Sequence, residues 1–414
     1  MNSLWRTAPL QEVVEEDSPI TYGVVKPGKE GDVLFVRGGD VSNGRILHNQ
    51  LRTISQEVSA QYQRTLLRGG ELVVSLVGQP GQVAVVPSFL AGANIARQVG
   101  MVRLQSILNA NFVSYFLQSP DGRKSLGTYT GGSVQQVINL RDLRTVNVPI
   151  PPIAEQKQIV AILDEAFEGI DSAISNTEKN LANARELFES YLNAIFTRKG
   201  DDWEDKKIKD VAEKVEYGTS AKSSPDGEVP VLRMGNIQNG VLDWNDLVYT
   251  DNQEDIDKYL LKYNDVLFNR TNSAEHVGKT AIYKGDMPAI FAGYLIRIHR
   301  KEDLIDADFL NFYLNSYRAR EYGKSVMSQS VNQANINGTK LKDYPIPVPP
   351  LTEQTQIVKK LSCLLTETQR LEAIYQQKLA ALNELKQSTL QRAFSGELTV
   401  EVGDAAVAGV IVAA

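Results

Sequence analysis

One long segment occurs twice in this sequence. PIPPIAEQKQIVAIL at 149–163 returns as PVPPLTEQTQIVKKL at 347–361, and Phe196 in NAIF and Phe394 in QRAF keep the same spacing. Residues 149–196 therefore repeat as 347–394 without a gap. A repeat of this period encloses a whole domain and is too long for a solenoid unit. The sequence thus predicts two globular domains, each followed by a similar helical segment.

The repeat extends upstream in weaker form. DVLFVRGGDVSNG (32–44) resembles EVPVLRMGNIQNG (228–240), LLRGGELVVS (66–75) resembles LLKYNDVLFN (260–269), and SVQQVINL (133–140) resembles SVNQANING (330–338). Short β-branched runs separated by Gly, Asn and Pro predict strands, and NANFVSYFLQS (109–119) and DADFLNFYLNS (306–316) predict helices. We therefore expect an α+β chain with two strand-rich mixed domains and a pseudo-twofold internal repeat. The predicted boundaries are 1–152 and 199–350 for the domains, 153–198 and 351–396 for the helices, and 397–414 for a tail.

The two helical segments favour a coiled coil. Proline suits the first helical turn, and no proline interrupts 153–197 or 351–394. Steps of four and three residues from Ile159 give an imperfect heptad seam that passes through Leu187 and Tyr191. We predict two long antiparallel helices spanning about 60 Å. Because Lys378 and Arg392 also fall on the seam, two core helices of an ordinary bundle are the alternative.

Composition excludes several classes of protein. The chain is 42% hydrophobic and 23% charged, which is typical of a folded protein. The one cysteine, Cys363, and three histidines give no disulfide and no zinc-type spacing, so we expect no metal and a reducing cytoplasm. The N-terminus lacks the pattern of a secretory signal. The C-terminal run AAVAGVIVAA is too short to span a bilayer, and its use stays open.

Catalytic motifs are also missing from the sequence. The pairs Pro151–Pro152 and Pro349–Pro350 follow Ile150 and Val348, not the Asn or Asp of an amino-methyltransferase. No GxxxxGK[ST] phosphate loop is present, and the two PDG stretches are ordinary turn sequences. We therefore expect no catalytic residue and no cofactor.

The net charge of −6 bears on nucleic acid as a partner. Phosphate neutralisation by Lys and Arg normally dominates DNA affinity, and only residues 1–153 carry an excess of basic side chains. If the chain binds DNA, a partner protein should supply much of the electrostatic attraction.

The doubled PxPPxxEQxxIV, each copy following a variable domain and opening a long helix that ends in xAF, resembles the specificity subunits of type I restriction–modification enzymes. The resemblance covers about residues 1–400. It implies that each variable domain recognises one half of a split, asymmetric site in double-stranded DNA, and that the helices set the gap between the halves. It also implies two methyltransferase subunits and two restriction (motor-nuclease) subunits as partners, no membrane, and no catalysis by this chain. A scaffold protein that does not bind DNA is the alternative, which the acidic charge would suit.

Candidate DNA-binding residues follow from the side chains that recognise base edges and phosphates. The NRTN stretch of the second domain is the richest cluster, with the alternative of a polar turn in solvent. The candidates in the two domains are Asn269, Arg270, Thr271, Asn272 and Lys279, and Ser75, Gln82, Arg97 and Gln98.

Some candidates recur in both halves. Their recurrence indicates the same role in both domains and not the recognition of different bases. Arg37 and Arg233 are expected to contact phosphate or to form an internal salt bridge. Two further recurrent pairs have either a structural role or a role in DNA contact: Ser133 with Gln136, and Ser330 with Gln333. The EQ pairs at the helix starts, Glu155, Gln156, Glu353 and Gln354, are candidates for partner docking, with helix capping as the alternative for the glutamates.

Overall fold

The structure, a computed structural model, describes residues 5–49, 51–127, 137–285, 287–330 and 333–397. The chain divides into two compact units. Unit 1 contains the residues up to Thr177 and those from Gln377 onward, and unit 2 contains Glu178–Gln376. Each unit thus takes one globular domain and a part of each long helix.

Unit 1 holds eleven strands and four short α-helices within its described residues. They are β1 (Arg6–Pro9), β2 (Thr21–Tyr22), β3 (Val33–Val36), β4 (Val41–Ser42), β5 (Arg45–Ile46), β6 (Arg52–Ile54), α1 (Gln56–Ala60), β7 (Leu72–Ser75), β8 (Val83–Val85), β9 (Asn94–Ile95), β10 (Val99–Val102), α2 (Ala110–Gln118), α3 (Pro120–Ser125), α4 (Leu140–Thr145) and β11 (Asn147–Ile150). The long helix α5 (Ile153–Thr197) begins here.

The sheets of unit 1 are small. Their strand orders are β2-β10-β7-β8, β6-β3-β9, β4-β5 and β1-β11. The central strands β7 and β10 are buried on both faces, and α2 covers the four-stranded sheet with Phe112 and Phe116. Side chains from both long helices, including Leu163 and Phe394, complete this core.

Unit 2 repeats the plan. Its elements are β12 (Glu204–Lys207), α6 (Ile208–Val211), β13 (Ala212–Tyr217), β14 (Val229–Leu232), β15 (Ile237–Gln238), β16 (Val241–Leu242), β17 (Val248–Thr250), α7 (Gln253–Tyr259), β18 (Val266–Asn269), β19 (Thr271–Asn272), β20 (Thr280–Ile282), β21 (Ile290–Phe291), β22 (Leu295–Arg300), α8 (Ala307–Asn315), α9 (Tyr317–Val326), β23 (Ser328–Ser330), β24 (Gln333–Asn335), α10 (Gly338–Lys342), β25 (Pro345–Val348) and α11 (Leu351–Ser395). The sheets are β13-β22-β18-β20, β17-β14-β21, β15-β16, β12-β25 and β19-β24-β23.

Glycines at matching places allow two backbone segments to approach closely in each unit. A Cβ on Gly23 would lie 1.8 Å from the carbonyl oxygen of Ile95, and one on Gly218 would lie 2.0 Å from that of Phe291. No side chain fits at either position. The two domains therefore share a backbone frame as well as a sequence pattern.

The long helices run antiparallel within each unit. In unit 1 the Lys386 ammonium lies 2.8 Å from an Asp171 carboxylate oxygen, and in unit 2 the Arg185 guanidinium lies 3.1 Å from a Glu372 oxygen. Later residues of α5 thus pair with earlier residues of α11.

The predicted heptad seam is wrong over the last turns of α5. Leu187 and Tyr191 are 54% and 40% exposed, whereas Leu192 and Phe196 are buried. The reason is aromatic packing, because Phe196 contacts Phe309 at a ring distance of 5.4 Å. The end of the helix turns its large side chains toward the domain, and the seam side chains are left outside. No helix among the described residues is long and apolar enough to cross a membrane.

Candidate nucleic-acid interface

The EQ pairs at the helix starts are engaged inside their own repeats. The Gln354 amide donates to the carbonyls of Leu304 and Pro349 and accepts from the Asp306 backbone N–H, at 2.8–2.9 Å. Gln156 makes the matching three bonds in unit 1, and both glutamines are fully buried. Their amides therefore fix the start of each helix to its domain.

The neighbouring glutamates also have partners within the chain. Glu155 accepts from the Trp5 indole at 3.2 Å, and Glu353 accepts from the Trp203 indole at 2.9 Å. The recurrence of all four residues is accounted for by this local structure. A docking surface for another protein has to be sought among exposed side chains.

Exposed apolar side chains lie together on the helix pair in unit 2. The helix groove, as we call it, has a volume of about 730 Å³ and is lined mainly by apolar atoms from both long helices. Its lining residues are Leu187, Tyr191, Gln356, Lys359, Lys360, Cys363, Leu364 and Glu367. Two of these, Leu187 and Tyr191, are the side chains that the end of α5 leaves outside the core.

The two recurrent arginines have ion-pair partners within their own domains. The Arg37 guanidinium donates to both carboxylate oxygens of Asp40, at 2.8 and 3.0 Å, and this bonding raises the pKa of Arg37. Arg233 donates to the backbone oxygen and the carboxylate of Asp246, at 2.8 and 3.2 Å. Its Nε is buried without a hydrogen-bond partner. The internal salt bridge that we considered for this pair is thus present in both domains.

Several predicted residues of domain 2 surround one open cavity of about 460 Å³. Arg233, Asn269, Asn272 and Lys279 all line it. Asn269 is fully buried, and its Oδ1 has no hydrogen-bond partner. Burial, and secondarily the charge of Arg320, lowers the pKa of Lys279. The cavity is therefore a polar depression whose lining combines Arg233 and Lys279 with the carboxylates of Asp243 and Asp246.

Residues 271–272 meet residues 328–330 and 333–335, which are distant in sequence, in one sheet. Strand β19 pairs with β24, placing Thr271 opposite Asn335 and Asn272 opposite Ala334. Strand β24 pairs in turn with β23, whose three residues are all exposed. Ser330 and Gln333 therefore stand on an antiparallel hairpin that is paired with β19, whose Asn272 lines the cavity.

Arg270 lies at the base of this hairpin with its guanidinium held on two sides. It stacks on the Tyr217 ring at 4.9 Å, and its NH1 donates to the carbonyl of Gly293 at 3.0 Å. The backbone oxygen of Arg270 accepts from Ile336 at 2.8 Å. Arg270 thus joins Tyr217 and Gly293 to the residue that follows strand β24 of the hairpin.

Domain 1 gathers its candidates around a different cavity, of about 280 Å³. Arg37, Arg97 and Gln98 line it, and Arg97 and Gln98 are exposed. Ser75, by contrast, is fully buried and donates to the carbonyl of Val77. Gln82 accepts from the Asn43 backbone N–H at 3.0 Å. Ser133 and Gln136 lie outside the described residues.

Sequence reasoning missed several side chains of these surfaces. Arg52 lines the cavity of domain 1. In domain 2, Gln238 and His276 line the larger cavity, and Tyr294 is 50% exposed beside Arg270. Tyr294 holds the position that Gln98 holds in domain 1, because its carbonyl accepts from the Arg270 N–H as that of Gln98 accepts from the Leu76 N–H, and this match gave no signal in the sequence. Arg52 and Gln238 give no signal either.

The comparisons with known proteins agree with this architecture. Residues 2–183 and 200–381 each match the family model described as type I restriction modification DNA specificity domain. The chain is 24% identical to the EcoKI specificity subunit of Escherichia coli (strain K12), over 96% of this chain and 90% of that protein. It is 24% identical to the StySPI specificity subunit of Salmonella potsdam over the same shares.

Solved structures share the fold over nearly the whole chain. The HsdS subunit from Thermoanaerobacter tengcongensis matches with a TM-score of 0.53 and 18% identity, over 95% of this chain and 97% of that one. A chain from a structure concerned with complex assembly of the type I R-M system matches with a TM-score of 0.73 and 18% identity, over 95% and 98%. The predicted two-domain α+β fold with long paired helices is confirmed.

Proposed function

The chain belongs to the family of type I restriction–modification DNA specificity proteins, and from this we propose that it selects the DNA sequence on which such an enzyme acts. Each globular domain recognises one half of an asymmetric bipartite site. The paired helices set the distance between the halves and provide the docking surface for methyltransferase subunits.

One observation carries this proposal: the domains share backbone hydrogen bonds at positions where their side chains differ. The Ser75 N–H donates to the Gln82 carbonyl, and the Asn269 N–H donates to the Lys279 carbonyl, both at 2.8 Å. One residue further on, Leu76 and Arg270 donate to the carbonyls of Gln98 and Tyr294, respectively.

A shared frame with exchanged polar side chains is what recognition of two different half-sites requires. Base recognition depends on side-chain donors and acceptors, whereas the frame only positions them. A scaffold with two equivalent domains has no such requirement.

The partners follow from the same proposal. Double-stranded DNA, two methyltransferase subunits and two restriction subunits form the complete enzyme in the cytoplasm, and this chain contributes no catalytic group and no cofactor. The acidic net charge of −6 is then balanced by partners that carry the general attraction to phosphate.

We infer that a methyltransferase subunit docks in the helix groove. Its apolar floor includes Leu187, Tyr191 and Leu364, with Lys359 and Lys360 beside them. Apolar side chains exposed together in this way are typical of a protein interface.

The test is adenine-methylation mapping in cells that express the chain with its methyltransferase subunit. A second strain carries the same chain with residues 199–350 replaced by the corresponding domain of a relative, and a third lacks the chain. The proposal expects a split motif of which only one half changes on replacement. A methylation pattern that is independent of the chain, with an active methyltransferase, would leave the scaffold function in its place.

A further inference from the structure

The hairpin of domain 2 narrows from three strands to two toward its end. Strand β19 pairs with Asn335 and Ala334 of β24 and ends there, whereas the last pair, Ser330 with Gln333, belongs to β23 and β24 alone. We call residues 328–330 and 333–335 the ribbon. Its outermost described pair therefore projects beyond the sheet that supports it.

The base of the ribbon is held firmly. The Asn335 amide donates to the Thr271 hydroxyl at 2.7 Å, and the Lys340 ammonium donates to the Ser328 hydroxyl at 2.7 Å. Ala334 is buried on the side that faces the domain. A projecting element with a fixed base can position side chains with little loss of conformational freedom.

The two faces of the ribbon differ. Residues directly opposite each other in a sheet share a face, and neighbours along a strand alternate. Gln329 is opposite the buried Ala334 and thus belongs to the same face as Ala334, where it is itself exposed and its amide lies 3.9 Å from the Met327 sulfur. Ser330 and Gln333 share the other face, where both are exposed.

The segments that flank the ribbon in the sequence carry the sign of charge that DNA requires, and one of their basic side chains, Lys340, contacts the ribbon. Domain 2 is acidic as a whole, yet residues 317–342 contain five basic side chains and one acidic one, Glu321. The basic ones are Arg318, Arg320, Lys324, Lys340 and Lys342. The ribbon also has an outer strand of Ser, Gln and Ser, without the Lys or Pro that usually protects an exposed edge. Both features indicate a polyanion that covers this edge in the working complex.

We propose, on the basis of the proposed function, that the ribbon enters the major groove of the second half-site and that Gln333 recognises an adenine there. Because Gln136 recurs at the matching place of the first domain, this adenine is a base that both half-sites contain. The major groove admits a two-stranded ribbon, and a glutamine amide matches the N6 donor and N7 acceptor of adenine. Among the described residues, no hydrogen bond engages the Gln333 side-chain amide, so both of its groups are available for a base. Ser330 supports the contact from the same face.

The test compares three single variants in the methylation-mapping assay, with the intact chain in parallel. Gln333→Ala should relax one adenine position of the second half-site, with discrimination reduced by roughly 5- to 150-fold. Gln333→Glu should shift that position toward cytosine, because a carboxylate accepts from the cytosine amino group. Gln329→Ala is the matched control on the same face as Ala334 and should leave the motif unchanged.

The outcomes distinguish a failure of the ribbon proposal from a failure of the proposed function. If the intact chain gives a split motif and domain replacement changes one half, but neither Gln333 variant alters any base, the ribbon proposal fails alone. It also fails if Gln329→Ala relaxes a base, or if Gln333→Ala lowers methylation equally at all sites without changing the motif. Absence of a chain-dependent motif would overturn the proposed function itself. Urea unfolding of the purified variants, expected to match the intact chain, excludes misfolding.

Discussion

Replacement of Gln354 by leucine removes three buried hydrogen bonds at the start of α11 while keeping a similar side-chain volume. The groups left behind are the Asp306 N–H and the carbonyls of Leu304 and Pro349. Because Gln354 is fully buried, water cannot replace its amide. Each unsatisfied group costs about 1–3 kcal/mol, and carbonyls lie toward the lower end of that range. We expect unit 2 to lose about 3–5 kcal/mol of unfolding free energy.

The assay is native-state hydrogen exchange in increasing urea, measured on peptides that cover α8 (Ala307–Asn315). The loss should raise their exchange at least 100-fold, since each 1.4 kcal/mol corresponds to a factor of ten. Peptides from α2 (Ala110–Gln118), in the other unit, provide the internal reference. Gln356→Leu is the control variant, because Gln356 is exposed and should change stability by less than about 0.5 kcal/mol. If Gln354→Leu and Gln356→Leu behave alike, the amide does not fix the helix to the domain.

Three further changes probe other parts of domain 2. Burial opposes ionisation of Glu216, but hydrogen bonds from Arg297 and His299 outweigh it and lower its pKa to about 2. Glu216→Gln should therefore cost at most about 3 kcal/mol above pH 4.5, and chemical denaturation should show the deficit shrinking as the pH falls from 4.5 toward 2. Gly218→Ala should lower stability by about 3 kcal/mol in urea unfolding, because its Cβ would meet a carbonyl oxygen at 2.0 Å. If the variant and the intact chain were equally stable, the backbone segments at Gly218 and Phe291 would be able to move apart at no cost in free energy. Arg270→Ala should weaken base discrimination in the second half-site only, as measured by methylation mapping; a uniform loss across sequences would instead assign Arg270 to phosphate.

The repeat predicted the architecture because it is carried by residues with strong local requirements. Each helix begins where a proline precedes it and where a buried glutamine, Gln156 or Gln354, bonds to the domain. These residues are identical in the two copies of the repeat, so the sequence alone shows them. The alignment of Ser75 with Asn269 also holds, since their backbones make matching bonds.

The sequence could not show which polar side chains are exposed. Ser75 and Asn269 look like surface residues by type, yet both are fully buried. Their burial results from strands β7 and β18 lying at the centre of four-stranded sheets, which depends on pairing between distant segments. The heptad pattern failed at Leu187 for a related reason, because the aromatic packing of the helix end depends on a domain that follows it in the chain.

The discontinuity of unit 1 has a consequence for synthesis of the protein. Its core contains Leu390, Ala393 and Phe394, which pack with residues of the first domain such as Phe112. A ribosome translates all of unit 2 before it reaches these residues, since Glu178–Gln376 lies between the two parts of unit 1. The domain that is made first is therefore completed last, and a nascent chain interrupted after Gln376 but before Leu390 would release a complete second unit beside an unfinished first one.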